Sequence, residues 1–183
     1  AKYVGNTNMA DYSMPVTLTL SKANQSAPET PAAVGETIKG KNDGKITGVT
    51  DAMEYKKQGD ADYIAITGTE IADLAAGTYL VRYKETDSYL ASPDNQLVVT
   101  DGAWITVTFA SNGGSAVESK TCEYNQTITA PDAPAKEGFE FIAWYSDDAL
   151  TTKWDFDNDT VTENTTLYAK WTENPPQIIY ADL

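Results

Sequence analysis

The chain has 183 residues, 41% of them hydrophobic, enough for one or two small globular cores at about 100–150 residues per domain. Asp and Glu number 27 against 13 Lys and Arg, a net charge of −14 that no basic run interrupts. A nucleic-acid backbone or an anionic lipid surface would repel such a chain, so nucleic acid and membrane are excluded as partners, and the evenly spread acids read as a solvated surface.

The sequence contains no histidine and one cysteine, Cys122. Zinc-ligand sets of Cys and His, an internal disulfide and every Ser-His or Cys-His nucleophilic arrangement are thereby excluded, and no cofactor is expected. Cys122 lies in an alternating run, Lys120 to Tyr124, where a small apolar residue would serve, so it reads as a buried hydrophobe. No apolar run approaches the ~18 residues of a membrane span. Ala1 to Gly5 lacks the charged and apolar regions of a signal peptide, and Asn174 to Leu183 carries no wall-sorting motif. If the protein is exported, its signal is expected upstream of this stretch, and any anchor of the parent protein outside it.

In chain order, Lys2-Tyr3-Val4 and Val16 to Leu20 read as a hairpin, which alone cannot bury a core. Tyr3 to Leu20 aligns weakly with Tyr83 to Thr100 at an offset of about eighty residues, so residues 1–24 read as the terminal hairpin of a truncated preceding repeat. The alternative assigns that hairpin to the following domain. Residues 21–35 hold prolines among small and polar residues and read as a linker or an extended edge segment. Short alternating runs follow at Thr37–Lys39, Lys45–Val49, Met53–Lys56 and Tyr63–Thr67, separated by turn residues, and Gln96–Thr100 supplies a last strand. This spacing predicts an all-β sandwich over residues 25–102.

Leu74-Ala75-Ala76-Gly77-Thr78-Tyr79 is similar to the corner before the penultimate strand of fibronectin- and immunoglobulin-like domains, where a tyrosine hydroxyl pins the crossover between sheets. The stretch from Gly44 to Pro93 resembles an Ig-like repeat of large secreted proteins of Gram-positive gut bacteria. That resemblance implies a spacer. Asp101-Gly102 then joins two domains through about two residues, so the pair is expected to be semi-rigid.

From Trp104 to Trp171 the chain opens with alternating Ile105, Val107 and Phe109, turns at Asn112-Gly113-Gly114, and closes on Leu167 to Trp171. The V-T-F-x-S-N-G-G opening, E-G-F-x-F-x-x-W-Y middle and L-Y-A-K-W end resemble the Listeria–Bacteroides repeat, the B-repeat of internalin-type surface proteins. The resemblance implies a ubiquitin-like β-grasp module at residues 103–172 of a secreted or wall-attached protein, with no catalytic residue. Residues 173–183 read as a tail or linker. The expected fold class is all-β or α+β: an Ig-like β-sandwich followed by a small β-grasp domain.

Three constellations could carry chemistry. Asp155, Asp157 and Asp159 have the spacing that opens a calcium loop, but Thr160 stands at the glycine position and Thr166 at the bidentate glutamate position. Glu118, Glu123, Glu137, Glu140 and Asp147 invite a glycosidase pair, yet domains of this size seldom form the necessary cleft. With 4 tryptophans and 11 tyrosines, exposed rings for stacking sugars are the stronger alternative, and Tyr55, Tyr63, Tyr89, Trp104 and Tyr145 are the candidates. The sequence thus reads as non-catalytic spacer modules of an extracellular, cell-surface or wall-attached protein. Their partners are neighbouring modules of the same chain. The alternative is an adhesin or carbohydrate-binding module whose partners are glycans or host surface proteins.

Overall fold

A computed structural model describes residues 20–175, and among them every regular element is a β-strand. The hairpin expected from Lys2–Val4 and Val16–Leu20 lies almost wholly outside the described residues. The α part of the expected fold class has no counterpart among the described residues, and the 149–153 segment is a turn with Leu150 at φ 56°.

The first unit contains seven strands: β1 (Ala32–Val34), β2 (Gly44–Thr47), β3 (Met53–Lys57), β4 (Ile64–Ala65), β5 (Glu70–Leu74), β6 (Gly77–Tyr83) and β7 (Asn95–Val99). They form a three-stranded sheet in the order β1-β2-β5 and a four-stranded sheet in the order β4-β3-β6-β7, with every pairing antiparallel. Alternation turns one face of each sheet inward. Ile46, Ile71 and Leu74 from the first sheet meet Met53, Tyr79, Val81 and Val99 from the second, and Val49 and Ile66 close the core from connecting segments.

At the crossover from β5 to β6 the Tyr79 hydroxyl donates to the Ala75 carbonyl at 2.9 Å, as the Leu74-x-x-Gly77-x-Tyr79 pattern predicts. The 21–35 stretch is the extended edge segment and not a free linker. Ala23 exchanges backbone hydrogen bonds with Ser88 and Leu90, the Gln25 amide donates to the carbonyls of Lys84 and Leu90, Pro28 is fully buried, and β1 lies within it.

The second unit is a single sheet of β8 (Ile105–Ala110), β9 (Lys120–Cys122), β10 (Phe139–Tyr145) and β11 (Thr165–Glu173), in the order β10-β11-β8-β9. The central pair β8 and β11 is parallel and both outer pairings are antiparallel. Ile105, Val107 and Phe109 all point into its core with Cys122, Ile128, Trp144, Val161, Leu167 and Ala169.

Strict alternation along β10 would set Trp144 opposite Phe141. A bulge between Phe141 and Ala143 inserts Ile142 into the ladder, so Phe141 and Trp144 reach the same core while Ile142 stays 48% exposed. Trp144 is 3% exposed, with ring centroids 4.9 Å from Phe109 and 5.4 Å from Phe141. In the turn after β8, Gly114 lies under the Trp171 ring, where a Cβ would come within 2.4 Å of it, and the indole N–H donates to the Ser111 carbonyl. The second glycine of Asn112-Gly113-Gly114 is fixed by that close approach.

Candidate functional site at the junction of the two units

The five candidate aromatics do not gather into one site. Tyr55 lies within β3 and packs against the first core. The Tyr63 hydroxyl donates to Asp94 at 2.7 Å, and the Arg82 guanidinium and Lys56 ammonium lie 3.6 and 4.7 Å from its ring centroid. Burial and the Asp94 carboxylate push the Tyr63 pKa up to about 12. Tyr89 is 46% exposed in the β6–β7 connection, beside Ala23. Trp104 is 52% exposed with the Lys39 ammonium 5.0 Å from its ring, and Tyr145 has Lys170 at 4.8 Å. Cations already sit against the rings of Tyr63, Trp104 and Tyr145.

The acids likewise serve turns. Asp155 accepts from the Asp157 N–H and the Asn158 amide, hydrogen bonds that hold its pKa below the usual carboxylate range, and Asp159 accepts from the Asp155 N–H. Asp147 binds the Thr151 and Thr152 N–H groups and is lowered for the same reason. Glu118, Glu137 and Glu140 are exposed, and Glu123 lies at the junction described below. Among the described residues no group of three His, Cys, Asp or Glu side chains is placed to hold a metal ion.

A groove of about 570 Å³ was not legible in the sequence. Phe141, Trp144, Trp154, Phe156 and Pro131 are among its lining residues, and the buried Trp154 Nε1 has no hydrogen-bond partner.

A set of hydrogen bonds and ion pairs joins the two units. Thr37-Ile38-Lys39, which alternation reads as a sandwich strand, is instead a strap. Glu36, 7% exposed, anchors its base by accepting from the N–H groups of Gly40, Asn42 and Ala76 at 3.0, 2.9 and 3.3 Å. Asp43 accepts from the N–H and hydroxyl of Thr37, and these bonds hold its pKa down to about 2.

So braced, Ile38 forms a parallel bridge with Ala103, and the Lys39 N–H donates to the Ala103 carbonyl at 2.9 Å. The Tyr124 N–H of the second unit donates to the Lys39 carbonyl at 2.9 Å. The Lys39 ammonium lies 3.1 Å from Asp101 and 3.8 Å from Glu123, and the Asp101 hydrogen bond raises its pKa. Such partly exposed ion pairs contribute little stability but fix orientation. Gly102 admits the strap, since a Cβ there would lie 2.5 to 2.6 Å from the backbone of Thr37 and Ile38. An apolar residue flanked by Gly35-Glu36 and Gly40 is the only signal of this strap in the sequence.

The family model of the Listeria–Bacteroides repeat domain matches residues 106–170, from the second residue of β8 through most of β11. This segment is a Listeria–Bacteroides repeat. Two proteins of Evansella cellulosilytica provisionally named as membrane proteins are similar to part of the chain. One is 48% identical over 75 residues, 41% of this chain and 11% of its own length; the other, named as Gly-rich, is 54% identical over 69 residues, 38% and 8%. Internalin H of Listeria monocytogenes is 46% identical over 57 residues, 31% of this chain and 10% of its own length. The match thus spans about a tenth of each of these relatives. The sequence motifs of the repeat fall on structural necessities: Asn112 donates to the Ala169 carbonyl, Gly114 admits Trp171, and Trp144 fills the core.

Proposed function

We propose that this chain is a non-catalytic spacer from a surface protein: an Ig-like sandwich over 25–102 that carries the repeat, as a β-grasp module over 103–172, at a fixed attitude. The observation that carries the reading is the braced junction, in which Glu36, Lys39 and Gly102 leave no free linker between the units. The sheet orders β1-β2-β5 and β4-β3-β6-β7 with the Tyr79 corner favour the Ig-like assignment, and the β10-β11-β8-β9 order with parallel central strands favours β-grasp. Internalin H and the membrane-named relatives favour an extracellular, cell-surface or cell-wall location.

Small-angle scattering of residues 20–175 tests the spacer. Two units in a fixed end-to-end arrangement give a radius of gyration well above the roughly 15 Å of a compact globule of that length. A globular profile would remove the reading. The adhesin alternative is favoured by the groove beside Trp154, and a glycan array separates the two, with reproducible binding lost in Phe156→Ala pointing to carbohydrate recognition.

A further inference from the structure

We infer that the strap at 36–43 is a structural part of the repeat, so that the first unit completes the second and the repeat reaches its full stability only behind a module that offers such a strap. Ile38 belongs to the first unit by sequence, yet it packs against the core of the second unit and is absent from the first core. It reaches that core at one end of β8, where Ile105 is 1% exposed, and with Ala103 and Trp104 it lines the small cavity at that end. The same end of the repeat offers an unpaired backbone donor, the Tyr124 N–H just past β9, which the Lys39 carbonyl satisfies. A repeat without this partner would expose Ile105 and return Tyr124 N–H to water. The strap itself is held by its own unit through the buried Glu36, so it arrives preorganised and little ordering entropy opposes the contact.

Beyond linking two modules, this contact is an interaction surface with a stated partner chemistry: a loop presenting one aliphatic side chain, then a backbone carbonyl and a lysine facing Glu123. It is independent of the spacer reading, since an adhesin would be coupled in the same way.

All 4 tryptophans lie between residues 104 and 171, so tryptophan fluorescence reports unfolding of the second unit, while amide exchange at Ile46 and Val81 reports the first. The test is made on the full chain with Ile38→Ser, and separately with Gly102→Val, which pushes the strap away without changing its sequence. Both variants are expected to lower the tryptophan-reported melting temperature by at least about 4 °C, with native-state protection at Ile46 and Val81 unchanged. An unchanged tryptophan transition in both would overturn the inference, as would a matching loss of protection at Ile46 and Val81, which would place the role of Ile38 in its own unit.

Discussion

Trp144 shows how one side chain can carry the stability of a small sheet. With its ring edge-on to Phe109 and 3% exposed, truncation removes the largest group in a core that has no helix to collapse onto it. Trp144→Ala is expected to cost about 3–5 kcal/mol, so urea unfolding followed by the remaining tryptophans shifts far to lower denaturant. A parent-like midpoint would mean that the ring serves a ligand. Asp43 makes a pH prediction. Its folded pKa of about 2 lies below the ordinary 3.8, so the stability it contributes is complete above about pH 4 and is lost as pH falls toward 2. Asp43→Asn should therefore flatten the fall of melting temperature across that window. Because the Asp155 and Asp159 carboxylates already serve backbone N–H groups, calcium or a chelator is expected to leave the melting temperature where it is; a rise of several degrees on adding calcium would expose a site. At this scale the sequence located rings and acids but not their company. Tyr63 reads as a sugar platform until Arg82 and Asp94, distant in sequence, are placed beside it.

At the scale of elements, the Tyr79 corner was legible because its cause is local: Ala75 and Tyr79 are four residues apart, and the glycine between them permits the turn. Tyr79→Phe removes one hydrogen bond and strands a carbonyl, at a cost of about 1 kcal/mol, measurable as a lower urea midpoint for the first unit. An unchanged midpoint would show that water replaces the hydroxyl. The β8 and β11 runs were also readable, since alternation with one buried face leaves a strong period. The period of β10 misleads by one residue, because only the partner strand decides where the bulge falls. Thr37–Lys39 misleads more deeply. Its alternation is real, but its apolar residue faces another unit's core, and no local signal says whose core an isoleucine fills. Three of the edges are blunted: β4 has two residues, β1 three, and β10 is bulged, which makes each a poor template for another chain.

Among the described residues two separate cores are tied by a braced loop, so the units are expected to differ in stability without being independent. The order of strands in the repeat has a mechanical consequence. The chain enters at the start of β8 and leaves at the end of β11, and these two strands lie side by side and parallel, from Thr165 opposite Val107 to Tyr168 opposite Ala110. Tension applied along the chain therefore pulls them past each other, loading all the bonds of the ladder together, whereas an antiparallel pair pulled from one end opens a bond at a time. Under such a load the repeat would hold its length until that ladder gives way as a unit. Single-molecule pulling through the two ends of the repeat should meet a higher force than pulling through Ile105 and Cys122, which peels β9 from β8.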